Sequence, residues 1–232
     1  MALTREKREG KLFRSDKGGV LVTHRDWIVL MWIAEQYAAR LDQVQYLLGQ
    51  RAGRGAKVEG QISRNAARLV IARWQRAGLA ESRKILAYTP SWVWITAKGL
   101  HELGCAFKAY APSLARLEHL YAVNRIRLYL EKLHPEAKWF SEREYRADMI
   151  YKKGVSFAHI PDGVLETDKG DIAIEAELTV KKPAELQAIL RELANNYHEV
   201  WYFANKETYE ALATARKKLD PSLAQRILIF TC

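Results

Sequence analysis

Ile172-Ala173-Ile174-Glu175-Ala176-Glu177-Leu178 sets two glutamates one residue apart in an otherwise apolar run. Side chains alternate along a strand with period two, so Glu175 and Glu177 share one side while Ile172, Ile174, Ala176 and Leu178 fill the other. Asp162 lies thirteen residues before Glu175, within Pro161-Asp162-Gly163, and Lys181 lies four residues after Glu177. Three carboxylates converging with one lysine suit Mg²⁺ or Mn²⁺, which prefer hard oxygen ligands and are held by one or two protein carboxylates together with a phosphate. The implied substrate is a phosphodiester.

The segments around this strand alternate between strand and helix patterns. A helix is predicted from about Leu114 to Leu133, a short strand at Lys138-Trp-Phe140, and another strand around Gly163 to Glu166, with Asp168-Lys-Gly170 turning into the glutamate-bearing strand. An amphipathic helix starts near Pro183, Val200-Trp-Tyr-Phe203 has the character of a buried strand, Glu207 to Leu219 is helical, and Arg226-Ile-Leu-Ile-Phe230 is a last strand. The charged stretch from Glu142 to Ser156 fits no element. The order α-β-β-β-α-β-α-β predicts an α/β sheet covered by helices on both faces. Taken singly, each polar residue has a plainer explanation. Pro-Asp-Gly is a favoured turn sequence, paired glutamates decorate the wet face of edge strands, Lys181 and Lys182 can open a solvated helix, and Glu142 sits among Arg143, Glu144 and Arg146 as in a salt-bridged surface. The combination argues against these explanations, because a sheet covered on both faces does not accept paired carboxylates without a purpose.

With 232 residues and 49% hydrophobic content the chain is long enough for one large or two modest domains. The longest apolar run, Ile28-Val-Leu-Met-Trp-Ile-Ala34, is far shorter than the roughly 20 residues that span a bilayer, and the Met1 region is charged. Cys105 and Cys232 have no CxxC or His/Cys spacing, so neither a zinc site nor a disulfide scaffold is indicated. The expectation is a cytoplasmic protein with no membrane partner. No nucleophile elbow is present for a Ser/His/Asp hydrolase, and His119 and His159 are assigned structural or exposed positions. The net charge of +10 is confined to the first half: residues 1–113 hold 19 Lys and Arg against 9 Asp and Glu, and the remainder holds 18 of each. A basic half beside a neutral half predicts a polyanion-binding module joined to a second unit.

Within the basic half, residues 1–22 form a polar, basic arm expected to be flexible. Trp27, Leu30, Met31, Ala34 and Tyr37 follow helical spacing from a cap at Thr23, and Val44, Leu47 and Leu48 mark a second helix after Asp42. A Gly-rich link carries Arg51, Arg54 and Lys57. A third helix from about Ile62 to Ala77 directs Ile62, Ala66, Leu69, Val70 and Trp74 inward, leaves Gln61, Arg64, Asn65 and Arg68 on another face, and stops at Gly78. Two strands follow, Leu79 to about Ala87 and Trp92 to Thr96, joined at Tyr88-Thr-Pro-Ser91; Trp92 and Trp94 are assigned to the core. Helix, helix, helix and two-stranded wing is the order of a winged helix-turn-helix spanning residues 23–112. Its third helix would place Arg64, Asn65 and Arg68 against base edges or phosphates of duplex DNA, with Arg83 and Lys84 near the wing, and Arg51, Arg54 and Lys57 in the link, completing the DNA-binding set. A solvated helix face is the competing explanation for Arg64 and Arg68.

Residues 113–232 resemble the PD-(D/E)xK nuclease superfamily, with its restriction-endonuclease-like mixed sheet. More specifically, Leu117-Glu-His-Leu-Tyr-Ala-Val-Asn124, Trp139-Phe-Ser-Glu-Arg-Glu144, Pro161-Asp162 and Ile174-Glu-Ala-Glu-Leu-Thr-Val-Lys181, behind an amino-terminal winged helix, resemble the replication-relaxation family of bacterial plasmids and integrative elements. The resemblance implies a DNA-associated role in mobile-element replication or transfer. It also implies Asp162 as the nuclease aspartate, Glu175 as the second metal ligand and Glu142 as a further carboxylate. Glu177 stands where lysine is usual, as in some restriction enzymes, and Lys181 would supply the positive charge and orient the attacked phosphate. Catalysis is thus assigned to Asp162, Glu175, Glu177 and Lys181. Three functions compete: a Mg²⁺-dependent nuclease or nicking factor, a non-catalytic DNA-binding regulator on a degenerate nuclease fold, and an adaptor that recruits replication or conjugation proteins. The oligomeric state, homodimer included, is left open by the sequence.

Overall fold

A computed structural model describes residues 21–50, 60–151 and 159–231. Most of the arm, and the link with Arg51, Arg54 and Lys57, lie outside the described residues. The chain divides into two compact units, Met1–Tyr121 and Ala122–Cys232, with a small antiparallel sheet in the first and a five-stranded mixed sheet in the second.

In the first unit, helix α1 (His24–Glu35) starts at a capping box: the Thr23 hydroxyl accepts from the Asp26 amide, and the Asp26 carboxylate accepts from the Thr23 amide at 2.7 Å. Strand β1 (Ala38–Arg40) and helix α2 (Leu41–Gln50) follow, then helix α3 (Arg64–Arg76), strand β2 (Ala80–Arg83), strand β3 (Trp92–Ile95) and the short helix α4 (Ala97–Glu102). The strands pair antiparallel in the order β1-β3-β2. The sequence predicts the three helices and both strands of the β2–β3 pair but not β1, whose three residues are too few to display an alternation. Ser63 caps α3, and Gly78, at φ 71°, takes the left-handed conformation that ends it.

The inward face of α3 differs from the expected one. Ala67, Val70, Ile71 and Trp74 are buried, whereas Leu69 is 72% exposed and Ala66 only half-buried. Spacings of three, four and seven starting at Ala67 define a stripe; the expected set starting at Ile62 winds off it by Leu69. Trp92 and Trp94 are buried, as the sequence predicts, in a cluster with Ala38, Leu117 and Leu120. Leu117 and Leu120 belong to helix α5 (Leu117–Leu133), and the boundary between the units falls inside this helix, after Tyr121, nine residues beyond the expected division between residues 112 and 113.

The second unit continues with strand β4 (Lys138–Ser141), helix α6 (Glu142–Tyr151), strands β5 (Gly163–Thr167) and β6 (Gly170–Glu177), helix α7 (Pro183–Asn196), strand β7 (Glu199–Ala204), helices α8 (Lys206–Arg216) and α9 (Pro221–Ala224), and strand β8 (Ile227–Thr231). The sheet order is β4-β5-β6-β7-β8, antiparallel from β4 to β6 and parallel from β6 to β8. Helix α6 occupies part of the stretch that fitted no element. The Ser141 hydroxyl accepts from the Glu144 amide while the Glu144 carboxylate accepts from the Ser141 amide at 2.9 Å, so a capping box hidden among charges converts β4 directly into a helix.

Both faces of the sheet are covered. Ile172, Ile174 and Ala176 pack with Val123, Ile126 and Leu130 of α5, with Trp139 and with Phe203. Ala173, Val200, Tyr202 and Ala204 pack with Leu186, Leu190 and Leu193 of α7 and Leu212 of α8. Glu175 and Glu177 therefore project into the α7–α8 side. Pro161-Asp162-Gly163 is not a tight turn. Gly163 begins β5 opposite Ile174, and a Cβ there would collide with the Trp139 indole.

Gly163→Ala is expected to destabilise the second unit by about 1–3 kcal/mol through overpacking. The double change Gly163→Ala with Trp139→Phe should recover part of that loss. Urea denaturation followed by circular dichroism measures both, and an undisturbed single variant would mean that Trp139 does not fix the glycine.

Candidate functional site

Four segments meet at the carboxyl end of β6. Glu175 and Glu177 come from β6 itself and are 5% and 4% exposed. Asp162 precedes β5, whose antiparallel pairing with β6 brings it beside Ala176; its Oδ2 accepts from the Ala176 amide at 2.9 Å. His159, three residues earlier, places Nε2 2.8 Å from Glu175 Oε1, and its own amide donates to Glu192 Oε1 of α7 at 3.2 Å. Lys181, on the connection to α7, is ion-paired with Glu177. The end of β6 is tied to the next helix as well: the Thr208 hydroxyl donates to the Glu177 carbonyl at 2.7 Å and the Asn205 side-chain amide to the Leu178 carbonyl at 2.9 Å.

The electrostatics follow from burying these groups together. Burial, and then the charge of Asp162, push the Glu175 carboxyl up to about 7 against the opposing pull of His159 and Lys181. Burial lowers the His159 imidazole, but the hydrogen bond and charge of Glu175 outweigh it, and the result lies above the ordinary value of 6.5. The two groups thus hold a proton between them that belongs to the pair. Tyr202, opposite Glu175 in the β6–β7 register, is fully buried and its hydroxyl has no hydrogen-bond partner among the described residues. Burial and the charges of Glu175, Glu177 and Asp162 hold that hydroxyl well above its ordinary value, so it remains a donor without an acceptor beside the carboxylates.

Among the described residues no group of three or more His, Cys, Asp and Glu side chains is arranged to hold a metal ion. Glu177 is taken up by Lys181, and the Glu142 carboxylate by Arg146 of the same helix, at 2.7 Å. The Glu142 amide nonetheless donates to the Asp162 carbonyl at 3.2 Å, which joins the start of α6 to the site backbone. Asp162 and Glu175, held by the Ala176 amide and the His159 imidazole, are the carboxylates to weigh against a divalent ion. This pair fits Mg²⁺ in kind, since both offer hard oxygens, and in number once phosphate oxygens and water complete the shell. The orphaned Tyr202 hydroxyl adds a donor that such a water would satisfy.

His159 is the residue that sequence reasoning assigned elsewhere. The spacing His159-Ile-Pro-Asp162 places it on the same connection as the aspartate, and that proximity was the available signal.

In the first unit, Arg64, Asn65 and Arg68 are exposed on α3, and their side chains make no hydrogen bond or ion pair with any described residue. Helix α3 has no acidic residue in its first turn, where the helix dipole favours one, and carries Arg64 there instead. Arg83 and Lys84 are exposed at the end of β2, with the Lys84 ammonium 5.9 Å from the ring of Tyr88, which is 99% exposed. No helix among the described residues is long and apolar enough to cross a membrane. No family model, curated protein or solved structure matches this chain.

Stability should fall as pH rises across the window set by Glu175. Between its ordinary 4.5 and about 7 the folded state keeps a proton that the unfolded chain has released, so the unfolded state binds fewer protons and stability declines with pH. The raised His159 extends the decline above 6.5. Glu175→Gln should flatten this dependence, changing the difference in unfolding free energy between pH 5 and pH 8 by on the order of 2–3 kcal/mol. Guanidinium denaturation at the two pH values measures it; parallel pH profiles for the two proteins would refute the assignment.

Proposed function

We propose that this chain is a DNA-binding protein acting in the replication or transfer of a mobile genetic element, with a winged-helix reader of duplex DNA and a restriction-endonuclease-like unit directed at a phosphodiester bond. The observation that carries the proposal is the α3 face, where the Arg64, Asn65 and Arg68 side chains are exposed and unpaired among the described residues, toward the positive end of a helix that has no acidic residue. Arginines left without carboxylate partners match phosphate and guanine acceptors, and the helix amino-terminal amides add to the attraction for phosphate. The order α1-β1-α2-α3-β2-β3 supports the winged-helix assignment. The mixed sheet with acidic residues at the carboxyl end of β6 supports the nuclease-like one.

In this proposal Asp162 and Glu175 would hold a Mg²⁺ ion, which would supply neutralisation of the phosphate charge and acidification of a bound water. The Ala176 amide fixes the orientation of the Asp162 carboxylate at the end of β6. His159 orients Glu175 and exchanges a proton at Nε2. Lys181 leaves Glu177 for the incoming phosphate, which exchanges one charged partner for another. Tyr202 donates its hydroxyl to an oxygen brought in with the substrate.

A second reading is a non-catalytic DNA-binding regulator or an adaptor for replication or conjugation proteins. It is favoured by the pairing of Glu177 with Lys181 and of Glu175 with His159, which gives each buried carboxylate a structural partner without any ion. Supercoiled plasmid incubated with the protein and Mg²⁺ or Mn²⁺ separates the two. Nicking or linearisation that is lost in Asp162→Ala and Glu175→Ala, with DNA binding retained, is the expected result. Binding without cleavage under either ion would leave the regulator or adaptor.

Duplex binding should weaken steeply with salt. Arg64→Ala and Arg68→Ala should each cost about 1–3 kcal/mol where the contact is a bidentate one to a base, or weaken all sequences alike with a shallower salt slope where it is to phosphate. Fluorescence anisotropy over a salt series checks this. Affinity indifferent to both arginines would move the DNA contact away from α3.

A further inference from the structure

The geometry of α3 points to Leu69 as a sequence-reading residue that contacts the 5-methyl group of a thymine in the major groove, one helical turn from Asn65. This inference rests on the duplex-DNA function proposed above and names a specificity determinant within it. Leu69 is 72% exposed, while its neighbours Val70 and Ile71 turn into the core. With Asn65, Arg68, Ala72 and Arg76 it forms one stripe at helical spacings of three and four. No carboxylate lies on α3, and the side chains of Asn65, Arg68 and Arg76 bond to no described residue.

An aliphatic side chain surrounded by unpaired donors fits a surface that is mostly acceptors but carries isolated methyl groups. The major groove has this character: guanine offers N7 and O6, adenine N7, and thymine a methyl beside O4. A protein partner would have to supply acidic groups for the arginines and an apolar recess for Leu69. The polyanion is favoured by Arg64 at the positive end of the helix dipole and by the excess of positive charge in this half of the chain. Asn65 has the amide geometry for adenine N6 and N7, and Arg68 for guanine O6 and N7. Asn65 and Leu69 are about 6 Å apart along the helix axis, or roughly two base-pair steps, so the adenine and the thymine methyl should lie close together in the site.

The test uses the full chain and duplexes selected from a randomised pool. In the selected duplex each thymine is replaced in turn by deoxyuridine, which removes only the methyl group. At one position the unaltered protein should lose about fourfold in affinity, as expected for one methyl taken out of an apolar contact. Leu69→Ala should bind the thymine and deoxyuridine duplexes equally, and Leu69→Val should keep part of the discrimination. Because Leu69 is exposed, the variants should show unchanged circular dichroism and melting. Duplex binding with no methyl-sensitive position, or the same sensitivity in Leu69→Ala, overturns this inference while leaving the DNA function in place. Absence of any duplex binding overturns both.

Discussion

Two carboxylates buried on the central strand of a sheet that is covered on both faces dominate the second unit. Ionised groups removed from water are stable only when charge or hydrogen bonds compensate for the lost hydration. Each glutamate has its own compensation here: an imidazole for Glu175 and an ammonium for Glu177. Both partners come from the connections flanking the sheet, and the Tyr202 hydroxyl opposite Glu175 is left without a hydrogen-bond partner among the described residues. A scaffold built for stability alone would gain more from apolar residues at 175 and 177, because replacing a buried ion pair with well-packed hydrophobes is often neutral or stabilising. That unfavourable choice is what makes the site a candidate for chemistry.

The site depends on sheet geometry more than on any single contact. Glu175 and Asp162 are thirteen residues apart in sequence and become neighbours because β5 and β6 are antiparallel with Gly163 opposite Ile174. That register requires a glycine under the Trp139 indole, so a tryptophan on β4 indirectly positions the aspartate. On the other flank, Thr208 and Asn205 hold the end of β6, which keeps Glu177 within reach of Lys181.

The first unit solves a different problem, which is how to hold a helix by one face and leave the other free. Val70, Ile71 and Trp74 bury one side of α3. An ion pair reinforces it: Arg73 donates to Asp26 at 2.6 Å, and Asp26 is the fully buried partner in the α1 capping box. One carboxylate therefore caps α1 and anchors α3. With α3 fixed in this way, Arg64, Asn65, Arg68 and Leu69 need no internal partners.

The sequence by itself determined the order of nearly every element, because hydrophobic periodicity, caps and turn residues are local properties. The Thr23 cap, the Gly78 stop, the burial of Trp92 and Trp94, and the alternation that sets Glu175 and Glu177 on one side are all legible in strings of ten residues or fewer. Strand β1 and helix α6 were not, since the first is too short for a pattern and the second starts at a capping box masked by surrounding charge. Which stripe of α3 faces the core was decided by tertiary packing, and so Leu69 emerged on the outside. Tertiary structure alone also decided that His159 meets Glu175 and that the Tyr202 hydroxyl is orphaned, whereas Lys181 on Glu177 and Arg146 on Glu142 are pairs only four residues apart. Side-chain partners separated by many residues depend on strand register and helix placement, which are cooperative properties of the folded sheet and leave no periodic mark on the chain.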